Sequence, residues 1–190
     1  QNKVDLPPGY MVKWGGQFQL QQEANQRFLV IIPITLAIVA LLLFSIFYSF
    51  KEVLIILINL PLALTGGIIA LKLSGLYLSV PASIGFIAIF GIALEDGLVL
   101  ISSFHRHIKQ GQSLKQAVLN GVNIKLRPVL MTTFTTIFGV MPLLLSRGPG
   151  AEIQRPLATV VVGGLITSTL VTLVVLPIIY QSLKKQQETF

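Results

Sequence analysis

The chain has 190 residues, 53% of them hydrophobic and 11% charged, with a formal net charge of +7 and no cysteine. Soluble domains carry about 25% charged residues, so this composition points into a membrane, and the lack of cysteine excludes disulfides and thiolate metal sites within the chain. The basic residues gather at the ends of apolar stretches, with no aromatic–basic interleaving and no zinc-finger spacing, so nucleic acid is not an expected partner.

The first twenty residues are polar and mixed and lack the basic, apolar, small-residue order of a signal peptide. They read as the interior of a longer chain. "LPPG" is a turn, "YMVKWGGQF" has the composition of a strand that needs neighbours, and "QLQQEANQRF" reads as a polar helix leading into the membrane. Five apolar segments follow, over Phe28–Phe50, Val53–Leu71, Leu78–Phe104, Pro128–Leu145 and Leu157–Tyr180. A helix needs about 20 residues to cross the hydrocarbon, and helices satisfy their own backbone there. Barrel strands would alternate, and "IVALLLFSIF" does not. The expected fold is therefore an all-α membrane bundle of five spans, with a short strand and helix outside the membrane at its start. Between the third and fourth spans, Ser113–Val122 reads as an amphipathic helix lying along the interface, with Leu114, Ala117, Val118 and Gly121 on one face. Pro33 and Pro61 lie inside their spans, Pro128 reads as a first-turn residue of the fourth, and Pro142 and Pro177 lie near helix ends. The loop with Arg106, Lys109, Lys115, Lys125 and Arg127 holds no acid, which places it in the cytoplasm together with the tail over residues 181–190.

The stretch "GFIAIFGIALEDGLVLISSF" (85–104) carries Glu95 and Asp96 side by side in a span. A charge at the bilayer centre costs about 2.5–3.5 kcal/mol on insertion scales, so an idle pair is an expensive one. Successive helical residues lie about 100° apart. Glu95 shares a stripe with Ala88, Gly91, Ile92, Val99 and Ser102, and Asp96 one with Ile89, Ala93, Leu100 and Ser103. Both stripes hold small residues, which predicts packing against neighbouring helices. No Lys or Arg lies within the five apolar cores, so either a proton is held there or the counter-charge comes from elsewhere. That pattern fits a proton relay or a cation pathway. The alternatives are a structural pair bonded to Ser and Thr of packed helices, and a pair lying nearer the cytoplasmic edge than its place in the segment implies.

In the fourth span, Thr132 and Thr136 share a face and Thr133 is offset. Their hydroxyls suit either proton transfer or bonding to the carbonyl a turn earlier. His105 and His107 flank Arg106 at the membrane edge, a spacing that favours anchoring over metal ligation. The three methionines form no ladder, and the glycines of "TGG" and "VGG" read as close helix contacts, with no phosphate-loop lysine near them. No cofactor is expected.

The order "LPPGY", five spans, "GIALEDGLVL", "LRPVLMTT" and "FGVMPLLLSRGPGAEIQRPLATVVVGGLITSTLVTLVVLPIIY" resembles the C-terminal membrane half of a resistance-nodulation-division efflux pump. "GAEIQRPLATVVVGG" is similar to its heavy-metal branch, that of the cobalt-zinc-cadmium exporters. The resemblance implies a transporter, not an enzyme: a multi-pass protein of the bacterial inner membrane, exchanging protons for metal cations. It implies a homotrimer working with a periplasmic membrane-fusion protein and an outer-membrane channel. Residues 1–27 would end the periplasmic porter domain and its connecting helix, and 28–180 would be the last five of twelve helices, completed by an N-terminal half. It places Glu95 and Asp96 where drug exporters carry a lysine and an asparagine, Glu95 on an acid of the copper and silver exporters, and Thr132 on a threonine of the proton relay. Without that lysine the acids must share protons in another way. Without suitably placed methionines the cargo tilts toward zinc, cobalt, nickel or cadmium. Export of a non-metal substrate and a purely structural subunit stand as the alternatives.

Overall fold

A computed structural model of the chain describes residues 17–188. The "LPPG" turn and the strand-like "YMVKWGG" lie outside them. Six α-helices follow one another: α1 (Gln17–Phe47), α2 (Phe50–Leu73), α3 (Val80–Lys109), α4 (Leu114–Leu145), α5 (Ala151–Leu170) and α6 (Leu176–Glu188), the last two joined by a π-helical turn over Val171–Val175. Counting α5, the π turn and α6 as one rod, five of these units are long and apolar enough to cross a membrane, and no strand occurs among the described residues.

The helix ends follow from local chemistry. The chain reverses between α1 and α2 through Tyr48, whose φ of 51° is in the left-handed region. Ser79 caps α3, its hydroxyl accepting from the Ala82 N–H at 3.4 Å, with Pro81 in the first turn where a missing N–H is harmless. Arg106, His107 and Lys109 occupy the last turn of α3, against the negative end of its dipole.

The expected interfacial helix is absent as a separate element. Residues 114–122 run unbroken into the fourth span as one 32-residue helix, and Pro128 lies inside it, well past the first turn. The reason is packing. Of the face assigned to the membrane surface, Ala117, Val118 and Gly121 are buried and Leu114 is half-buried, and a Cβ on Gly121 would stand 2.5 Å from the Phe104 ring of α3. That apolar face is satisfied by α3, so the helix has no need to turn onto the interface.

α5 is the centre of the bundle, packed against α2, α3 and α4, while α1 leans on α2 and α3 only lightly. The closest approach is between α2 and α5, where Gly66 and Gly163 face each other backbone to backbone. Small residues permit this in lipid, where packing replaces the hydrophobic drive between helices. Pro177 accounts for the π turn before α6. It has no N–H for the carbonyl of Leu173 and its ring crowds that carbonyl, and a widened turn relieves both.

Candidate functional site

The two adjacent carboxylates have opposite surroundings. Asp96 is 9% exposed, on the stripe of Ile89, Ala93, Leu100 and Ser103, all of which are buried. This stripe faces the rest of the chain. Ile89 fills the space beside Gly164 of α5, and Gly97, next to Asp96, lies against Ile56 of α2 and Leu176 of α6, at 3.2 and 3.6 Å from where a Cβ would sit. Glu95 is exposed, as are Ala88 and Gly91 on its stripe, while Ile92, Val99 and Ser102 are half-buried. The packing expected of both stripes is realised within this chain for Asp96 alone. Neither carboxylate has a hydrogen-bond or ion-pair partner among the described residues.

A polar seam that the sequence reading missed runs beside Asp96. Asn59 of α2, 2% exposed, donates through Nδ2 to Thr172 Oγ1 at 2.8 Å and to the carbonyl of Ala93 at 3.4 Å. Ala93 is three residues before Asp96, and Thr172 is the buried residue of the π turn. The seam continues up α5, where Ser168 is fully buried, Thr169 shares a hydrogen bond of 2.8 Å with Thr133 of α4, and Thr167 donates to Ala63 O at 3.2 Å. Asn59 Oδ1 and Ser168 Oγ are buried without a partner among the described residues. Buried polar atoms left so are costly, at about 1–3 kcal/mol each, so the seam has capacity for a further polar species. Its sequence signals were the lone Asn of "ILINLPLAL" and the hydroxyl-dense "TSTLVT" of the fifth span, both polar groups set in hydrocarbon.

Thr132 and Thr133 divide as sharply. Thr133 is buried and donates or accepts across to Thr169. Thr132 is exposed and donates to Pro128 O at 3.1 Å, while Thr136 donates to Thr132 O at 2.9 Å. Nothing among the described residues brings Thr132 to the carboxylates. Its hydroxyl, having spent its proton on Pro128, can still accept. No group of three or more His, Asp or Glu side chains converges as metal ligands among the described residues. The arrangement sets a buried carboxylate on its packed side and a bare one on its open side.

The chain matches the AcrB/AcrD/AcrF family over residues 1–184. It is 44% identical over 188 residues to the cobalt-zinc-cadmium resistance protein CzcA of Cupriavidus metallidurans, covering 99% of this chain and 18% of that protein. To the nickel-cobalt-cadmium resistance protein NccA of Alcaligenes xylosoxydans xylosoxydans it is 43% identical over 186 residues, covering 98% of this chain and 17% of that one. Its fold is similar to the crystal structure of a heavy metal efflux pump, with a TM-score of 0.81 at 42% identity over 95% of this chain and 18% of the pump. The chain thus spans under a fifth of the length of these relatives.

Proposed function

The chain belongs to the AcrB/AcrD/AcrF family of membrane transporters, and from that premise we propose that it is the C-terminal membrane half of a proton-driven exporter of divalent heavy-metal cations. The observation that carries the reading is the asymmetry at residues 95 and 96: one acid packed into the bundle and its neighbour open, with no cation for either among the described residues. An open carboxylate on a membrane helix requires a partner of protein or water, and the N-terminal half of the same transporter is that partner. Zinc, cobalt, nickel and cadmium are the cargo this reading favours, in keeping with the resistance proteins it resembles.

In this mechanism Glu95 takes a proton from the periplasmic side across the interface with the N-terminal half. Thr132, on the exposed side of α4, accepts a hydrogen bond from a protonated acid and positions it. Asp96 senses the same event from the packed side, where a change of charge is felt by Asn59 and the π turn. A charge change in a low-dielectric site biases helix position, which is the means of driving a distant porter domain. The working unit is a homotrimer in the inner membrane, joined to a membrane-fusion protein and an outer-membrane channel, with residues 1–27 closing the porter domain and 181–190 in the cytoplasm.

The test uses the full-length pump in proteoliposomes with an imposed pH gradient and a panel of metals. Glu95→Gln is expected to abolish metal-dependent proton flux while the oligomer stays assembled, and Asp96→Asn to lower it. Flux that survives both changes would reduce the acids to packing groups.

A further inference from the structure

A third acid lies at the end of α2 nearest the basic loop. Glu52, in the first turn of α2, is 5% exposed. His105 Nε2 of α3 lies 2.7 Å from its Oε1, and Lys184 Nζ of α6 lies 3.7 Å from the same oxygen. Its Oε2 is buried without a partner among the described residues, as is the hydroxyl of Tyr180. The Tyr180 ring, fully buried, packs on Phe104 at 5.1 Å and carries Lys184 Nζ at 5.3 Å from its centroid. The groups facing Glu52 are thus His105 from α3 and Tyr180 and Lys184 from α6. α1 brings only the ring of Phe47, edge-on to His105. The buried face of α4 brings no titratable group, and Lys51 beside Glu52 is exposed.

His105 is the group with access to water. Its side chain is 28% exposed, and it lines a cavity of 290 Å³ with Ser102, Arg106 and Lys109. With Nε2 committed to the carboxylate, the other ring nitrogen is left for exchange, and imidazole is the side chain whose charge changes between about pH 5 and 8.

We propose that Glu52 and His105 form a second proton-binding site at the cytoplasmic rim, and that its occupancy sets how firmly α6 is held against α2 and α3. Water in the rim cavity gives a proton to the free nitrogen of His105. The imidazolium stays bonded to Glu52, whose charge is then shared between two cations. Release returns the proton to water and removes the imidazolium from a buried carboxylate that still faces Lys184, a costly arrangement. α6 continues back through the π turn to Thr172, which holds Asn59 and through it the carbonyl of Ala93. The buried side chains of Ile56, Leu100 and Ile101 lie between the rim and Asp96, so the two levels communicate by helix position and not by a proton wire. This coupling, unlike the proton binding itself, rests on the transport reading above.

The experiment takes the full-length pump, oriented in proteoliposomes, and varies pH on each side separately, with Glu52→Gln, His105→Gln and Glu95→Gln. With the proton-motive force held constant by a compensating membrane potential, wild-type flux is expected to change with pH on the side of the basic loop by up to about tenfold per unit, the limit for one titrating group. Glu52→Gln and His105→Gln flatten that dependence to under about twofold per unit and leave the response on the opposite side intact. A merely structural role would lower flux equally at every pH, and that result overturns the proposal. If Glu95→Gln stops flux while both rim variants keep the wild-type profile, the inference falls and the transport reading stands. If the wild type shows no metal-dependent flux, the transport reading falls, and histidine-labelled nitrogen spectra decide the rim site alone. His105 signals that move with pH, and move differently in Glu52→Gln, support it. Signals that stay fixed from pH 5 to 8 overturn it.

Discussion

Gly163→Ala tests whether the α2–α5 contact holds the bundle together. A Cβ built on Gly163 lies 2.6 Å from the carbonyl oxygen of Gly66 and overlaps the side chain of Ala70. Ordinary contact begins at 3.4 Å, and the obstacle is backbone, which cannot rotate away. α2 and α5 must therefore part by most of an ångström. A gap of about 0.5–1 Å forfeits about a quarter to a half of each dispersion contact across it, and the bond from Thr167 to Ala63 O, already 3.2 Å, lengthens with it. Overpacking of this kind costs about 1–3 kcal/mol. Alanine also returns about 1 kcal/mol of helix propensity, so the net loss is smaller than the strain. Gly139→Ala supplies the control, since a Cβ there meets nothing within 4 Å and only the propensity gain remains. The expected result is that Gly163→Ala unfolds more easily than Gly139→Ala by about 1–3 kcal/mol, measured by denaturant titration of the purified protein in mild detergent. Equal stability of the two variants would refute the argument that backbone contact sets this interface.

Two further predictions concern the polar seam. Asn59→Leu and Thr172→Val, made singly and together, are expected to show a coupling energy between about 0.6 and 1.7 kcal/mol, the average and the largest value for hydrogen bonds between membrane helices; a double-mutant cycle that closes to zero would mean the 2.8 Å bond contributes nothing. Thr133→Val is expected to destabilise by about 1 kcal/mol because Thr169 loses its partner, while Thr132→Val changes stability by under about 0.5 kcal/mol, read from the same unfolding curves. Reversal of that order would put the wrong threonine in the packed position.

The number of spans was legible because an uninterrupted apolar run long enough to cross hydrocarbon has few alternatives. What the sequence left open depended on which helices are neighbours. The stripes of Glu95 and Asp96 have similar small residues, and nothing in either says that α2 and α5 cover one and leave the other bare. Leu114, Ala117, Val118 and Gly121 were readable as an apolar face, but whether lipid or Phe104 meets it is a tertiary fact. Pro128 looked like a helix start, yet proline is tolerated inside a membrane helix where neighbouring groups satisfy the freed backbone. The pair of Glu52 and His105 joins positions 53 apart on different helices, and neither residue type at a membrane edge signals the other.

In the proposed mechanism, adjacent acids on one helix would be read by different parts of the protein. Asp96 is enclosed by the elements that also hold Asn59 and the π turn, so any change in its charge acts on the relation of α3 to α2 and α6. Glu95 has no such neighbours among the described residues, and its charge would act on whatever covers the open stripe. One proton passing between them would change two interfaces in turn. The geometry that permits this is minimal: a rotation of about 100° between successive residues, with small side chains on both stripes, Gly91 on the open one and Ala93 on the packed one. A bulky residue at Ala93, which is fully buried, would push Asn59 away from its carbonyl and strain the packed side of the bundle with it. Bulk at Gly91, where a Cβ meets nothing within 4 Å, would leave the bundle intact and obstruct only the partner on the open side.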